Sequence, residues 1–373
     1  MTTKLSRLFG LDLLRAIAIS LVVISHCTFL LFPNTTSIVL DVIRLFGAVG
    51  VDLFFVLSGY LIGGILLKQI ASNKTKFKDL FVFWKRRWLR TLPNYFLVLI
   101  LNVLLLSALG KGLVSDIWLY VPFLQNFVTQ HPDFFTEAWS LSIEEYAYLI
   151  LPFLMYCSFT VFKKVKPKKL FLIVTLVTIV VLFGLKLYYG LTTDVTSYKT
   201  WSLTFRKVVV YRLDSIYYGF LLIYVSKQFP NWVAKCKTYL LLLGIALFGL
   251  LHIAIFWFKI MPETHLMFYT LFYLQVLILS LGLMFPYFSS LNYKGIWQPL
   301  VYFISTRSYT IYLVNYSLVL LTFQHFFEIE QFSVFQKCFA LIGYLITTLL
   351  ISELIYRWFE QPILKFRDKK YSR

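Results

Sequence analysis

Apolar runs of about 20 residues recur along the whole chain, separated by short segments that gather most of its lysines and arginines. A helix rising about 1.5 Å per residue needs roughly 20 apolar residues to cross a hydrocarbon core of about 30 Å. Ten runs meet that need, at residues 10–32, 46–68, 92–110, 138–162, 169–190, 206–226, 238–258, 265–288, 300–324 and 336–360. The pattern predicts an all-α fold, a polytopic transmembrane helical bundle of about ten helices. No soluble domain and no repeat interrupts it, so residues 1–373 read as a single integral membrane domain.

The first run follows Lys4 and Arg7, as a signal-peptide core would. It is too long for such a core, and no small-x-small cleavage site follows, so it reads as a membrane helix.

Composition agrees. The chain is 59% hydrophobic and 14% charged, against about 25% charged in soluble chains. Its net charge of +19 has two readings, a nucleic-acid surface or cations held on cytoplasmic loops. Placement decides between them. Eight cations follow the second run, from Lys68 to Arg90; five follow the fourth, Lys163 to Lys169. Lys227, Lys235 and Lys237 follow the sixth, and the tail holds Lys365, Arg367, Lys369, Lys370 and Arg373. With Lys4, Arg7 and Lys294, one side carries about 24. The other carries Arg44, Lys111, Lys199 and Lys259, with Arg206 and Lys207 at a boundary. This asymmetry places both termini inside and removes the need for a nucleic-acid partner. The four cysteines are far apart with no CxxC, which points to neither disulfides nor a metal.

Polar residues inside the runs carry the candidate chemistry, because ionisable groups in a bilayer are costly. Arg15 and His26 are 11 residues apart, which puts them on one helix face with His26 about 16 Å deeper. Asp52 lies in Gly50-Val51-Asp52-Leu53-Phe54-Phe55-Val56-Leu57-Ser58-Gly59-Tyr60, where packing is the simpler reading. Arg87 and Arg90 share a face in a basic aromatic segment. That segment reads equally as an amphipathic surface helix or a phosphate clamp. Ser140, Glu144 and Tyr148 follow i, i+4, i+8. Glu144 and the adjacent Glu145 need partners, His26 or an arginine. Arg212, Asp214 and Arg307 read as interhelical partners, and Glu360 before Pro362 as a helix-end device.

Taken in order, these motifs, including Trp139-Ser140-Leu141-Ser142-Ile143-Glu144-Glu145, Arg212-Leu213-Asp214 and Phe359-Glu360-Gln361-Pro362, resemble the acyltransferase-3 family of integral membrane O-acyltransferases. The resemblance covers nearly the whole chain. It implies a multi-pass protein of the bacterial cytoplasmic (inner) membrane, surrounded by membrane lipid. It implies transfer of an acetyl group from cytoplasmic acetyl-CoA, or of another acyl group from its acyl-CoA. The acceptor would be a hydroxyl of a lipid-linked or polymeric carbohydrate at the cell surface, such as O-antigen or peptidoglycan. Some members carry a C-terminal SGNH domain. The sequence ends about 11 residues past Pro362, so the stand-alone form is expected.

By position, the resemblance matches His26 and its partner Arg15, the Arg87/Arg90 pair, and Ser140, Glu144 and Tyr148 to the family's motifs; on chemical grounds His26 is the expected catalytic base, with Glu144 as its carboxylate partner and Glu145 in reserve. Arg15, Arg87 and Arg90 become phosphate ligands for the anionic donor. Asp12, Asp52, Ser140, Tyr148, Arg212 and Asp214 become supporting residues. The chemistry fits: acyl transfer to an alcohol needs a base for its proton, and a carboxylate on the other ring nitrogen fixes the tautomer. Direct transfer and an acetyl-histidine intermediate both remain open. A secondary transporter or flippase would also bury such charges. It would more often show inverted repeats and broken helices, and the sequence displays neither clearly.

Overall fold

The computed structural model describes residues 8–35, 37–112 and 114–371; Lys4, Arg7 and Arg373 lie outside them. Each apolar run is helical. The long helices are α1 (Phe9–Leu31), α2 (Ile38–Ala71), α3 (Phe77–Ala108), α4 (Ala138–Val161) and α5 (Pro167–Thr192). Next come α6 (Tyr198–Arg206) and α7 (Val209–Gln228), which meet at 93°, then α8 (Pro230–Trp257) and α9 (Leu266–Ser290). Helix α10 (Gln298–Val314) passes through a π-helical turn, Asn315–Leu320, into short α11 (Leu321–Phe326). Helix α12 (Val334–Lys370) closes the chain. Among the described residues there is no strand.

Local signals explain several ends. Pro167 and Pro230 open α5 and α8, where a missing N–H costs nothing. Ser333 and Gln336 form a reciprocal capping box before α12.

Among the described residues seven helices are long and apolar enough to cross a membrane, eight if α6 and α7 are one span. Two expected spans fall short of that measure. Helix α4 carries Glu144, Glu145 and several hydroxyls, and α10 has 17 residues before its π turn. Other boundaries differ as well. Helix α3 begins at Phe77, not near residue 92, so the basic aromatic segment is the first half of a long helix that runs through Pro93. The sixth run is broken at Lys207 and Val208. Helix α12 continues to Lys370, and Glu360 does not end it. Instead Glu360 is buried and accepts from Asn94 Nδ2 of α3 at 2.7 Å.

The core sits where α2 packs on α1 and on α7. Small residues permit the approach. A Cβ added at Gly59 would lie 1.9 Å from the Ile216 carbonyl oxygen, and one at Gly219 would lie 2.5 Å from that of Val56. Ion pairs lock the same helices: Arg212 of α7 to Asp52 of α2, and Lys186 of α5 to Asp214 of α7. All four side chains are at least 97% buried. Arg307 likewise pairs with Glu353 of α12.

Replacing Gly59 by leucine should wedge α2 from α7 and cost about 1–3 kcal/mol or more. The measurement is the melting temperature in detergent. Gly64→Ala, where the nearest atom is 3.5 Å away, should leave it unchanged; equal melting of both variants would refute the contact.

Candidate active site

A cavity of about 1620 Å³ penetrates the bundle between α1, α2, α3, α4 and α10. Its mouth is basic, with Lys68, Lys74, Arg86, Lys166, Lys168, Lys227 and Arg367 on its wall. Deeper come Arg15, Arg87 and Arg90, and its far end is closed by Val51, Phe54, Ser140 and Tyr312. The structure thus brings the three predicted arginines to one cavity.

They differ in their partners. Arg15 donates to Asp12 at 3.0 Å and to the Ser305 hydroxyl at 3.2 Å, and Ser305 donates to the same carboxylate at 2.5 Å. Arg87 lies over the Tyr148 ring at 4.2 Å, donates to its hydroxyl at 2.8 Å and meets Glu144 at 3.5 Å. Glu144 also accepts from Tyr148 at 3.0 Å and from Ser58 of α2 at 3.0 Å. Arg90 has no ion pair or hydrogen bond among the described residues, although it lines the cavity. Glu360 acts on it electrostatically from beyond ion-pair distance, which leaves the guanidinium's donors open to an anion.

Glu144 is therefore not the partner of His26. Its carboxylate is absorbed by Arg87, Tyr148 and Ser58 at the basic level. Glu145 is not that partner either: it points to α3, where Thr91 donates to it at 2.7 Å. The reason is direction. Helix α4 starts at the far end, where Ser140 meets Tyr312 at 2.7 Å, so Glu144 lies one turn toward the mouth. The acid at the far level is Glu137, held by the Ser317 hydroxyl and amide.

His26 lies just beyond the cavity's closed end. Its Nδ1 bonds the Asn315 side-chain oxygen, and its ring meets that of Tyr316 at 4.8 Å. Asn315 is fully buried at the start of the π turn. Its Nδ2 donates to the carbonyls of Ile311 and Tyr312, both at 2.8 Å. With the amide nitrogen so pinned, its oxygen must face His26, and Tyr344 donates to that oxygen at 3.4 Å. An amide oxygen only accepts. Nδ1 therefore carries the hydrogen, and Nε2 keeps its lone pair, as a general base requires. Asn315 thus does for the tautomer what a carboxylate was expected to do.

Asp52, Arg212 and Asp214 do not line the cavity; they lock its wall. Sequence reasoning gave no site role to Asn315, Tyr312, Glu137 or Lys186, and it read Ser58 as packing alone. Lys186 was the legible one, as a lysine within an apolar run. Among the described residues no group of three His, Cys, Asp or Glu is arranged to hold a metal.

The model of an acyltransferase domain family matches residues 8–357. The chain belongs to that family. It is 26% identical over 388 residues to the O-acetyltransferase OatA of Staphylococcus aureus, covering 97% of this chain and 58% of that protein. It is 28% identical over 426 residues to the peptidoglycan O-acetyltransferase OatA of Listeria monocytogenes, covering 99% and 60%. The chain thus spans about three fifths of the length of these curated relatives. No solved structure matches it.

Asn315→Leu should release the imidazole of His26 to sample both tautomers. In protein carrying ¹⁵N-histidine, the native ring should report hydrogen on Nδ1. An unaltered tautomer in the variant would refute the role of Asn315.

Proposed function

We propose that the chain is a membrane O-acetyltransferase with ten crossings and both termini inside a bacterial cytoplasmic membrane. It takes acetyl from acetyl-CoA on the basic side and delivers it to a cell-surface glycan hydroxyl on the other. One observation carries this reading: a cation-lined cavity ends at Tyr312, one turn from the Asn315 that holds His26. Residues 312 and 315 are about 4.5 Å apart along the helix axis. Family membership and the O-acetyltransferase relatives support the same chemistry, and they favour it over a transporter despite the broken α6–α7 pair.

In this reading the diphosphate and phosphate groups of the donor lie among Arg90, Arg87 and the mouth lysines. The pantetheine arm runs along the apolar wall of α2, past Leu61 and Leu57, and presents the thioester at Tyr312. Nε2 of His26 takes the proton of the sugar hydroxyl as its oxygen attacks the thioester carbonyl. The C–S bond breaks, and the imidazolium returns the proton to the departing thiolate. The products are the acetyl ester and free CoA thiol, and His26 is regenerated neutral.

His26→Ala should lower transfer by at least about 10²-fold while the protein still inserts. The measurement is mass spectrometry of surface glycans from cells with and without the gene; acetylation that survives the substitution sinks the mechanism. Arg90→Ala should weaken acetyl-CoA binding by about tenfold, and removing Arg87 as well should weaken it further. Unchanged affinity in a calorimetric titration would overturn the phosphate assignment.

A further inference from the structure

Deep cations in this bundle fall into two groups. Arg15, Arg87, Lys186, Arg212 and Arg307 each have a carboxylate within ion-pair distance. Arg90 does not, and it faces the donor cavity. Arg206 and Lys207 do not either, among the described residues. These two do not line the donor cavity.

Their position is fixed from several sides. Arg206 is 6% exposed, lies over the Trp139 ring at 5.2 Å and donates to the Ala48 carbonyl at 3.4 Å. Ala48 adjoins Gly47, which packs on Ser25, so Arg206 is level with His26. The Lys207 carbonyl accepts from Asn126 Nδ2 at 2.7 Å, and the same amide donates to the Trp139 carbonyl at 3.0 Å. The Val209 amide donates back to the Asn126 carbonyl at 2.9 Å. The loop before α4 thus clamps the 93° break between α6 and α7. The half-buried Lys207 ammonium acts electrostatically on the His26 imidazole. The acid that acts on it is Asp133, exposed and beyond ion-pair distance.

A cation kept at membrane depth without a counter-charge is costly, and the far side of this chain is otherwise poor in cations. We propose that Arg206 and Lys207 form an anion subsite on the acceptor side, selecting glycans that carry a carboxylate or phosphate beside the acylated hydroxyl. The inference rests on the reading of His26 as the transfer centre. It adds that the acceptor is itself anionic, so that both substrates are recognised by cations that have no ion pair among the described residues.

The test uses the full chain in membrane vesicles with radiolabelled acetyl-CoA and three soluble acceptors. These are a neutral glucan oligosaccharide, its uronate counterpart and its phosphorylated counterpart. Wild type should show a KM about tenfold lower for at least one anionic acceptor, a preference that fades with salt. The uronate and phosphate arms tell which oxyanion is read. Lys207→Gln should raise KM for that acceptor by about tenfold, while the KM values for the neutral acceptor and for acetyl-CoA stay within about twofold of wild type. Lys207→Glu should turn the preference toward the neutral acceptor. Transfer without charge preference, or an equal loss on neutral and anionic acceptors, overturns the subsite alone. Absence of transfer by wild type to all three overturns the transfer reading and the subsite with it.

Discussion

A charge inside hydrocarbon is costly without a counter-charge, and the ion pairs that meet that cost organise this bundle. Arg212 meets Asp52 and Lys186 meets Asp214 with all four side chains at least 97% buried. Removing one member of such a pair strands the other, at a cost of about 3–5 kcal/mol. The pairs therefore fix how α2, α5 and α7 stand against one another. That placement, together with the Gly59–Gly219 contact, holds α2 as the shared wall between the ion-paired core and the cavity.

The cavity in turn separates two environments. On one side is a wide basic chamber, and on the other is His26, oriented by an amide instead of a carboxylate. The difference has a physical meaning. Asn315 holds the ring without adding charge, so the imidazole is not committed to the cationic form by its partner. The π turn supplies the means, since Asn315 sits where the regular ladder loosens and the carbonyls of Ile311 and Tyr312 can accept its amide hydrogens.

Much of this was legible in the sequence. Period and length placed most of the helices, intramembrane charge singled out Arg15, His26 and Glu144, and the basic aromatic segment singled out Arg87 and Arg90. The partners were harder. Glu144 was assigned to His26 because a carboxylate at the start of an apolar run suits that role, but the direction of α4 carries it a turn away, to Arg87. Asn315 left no mark, because a neutral amide in a helix carries no penalty that one sequence reveals. The start of α3 was missed because its first half reads as a surface helix, and Pro93 suggests a boundary where the chain stays helical. The break at Lys207 depends on Asn126, far away in the chain.

The closed end of the cavity has an electrical consequence. Solvent entering from the basic mouth would conduct the bulk potential as far as Tyr312 and Ser140. The insulating layer beyond that end is then thinner than the full bilayer, running from Tyr312 past His26 to the far surface. A transmembrane voltage drops across the insulator, so the field is concentrated in that part of the bundle. Any charge moved through it, a proton included, would feel most of the roughly 2.3 kcal/mol that 100 mV supplies per elementary charge.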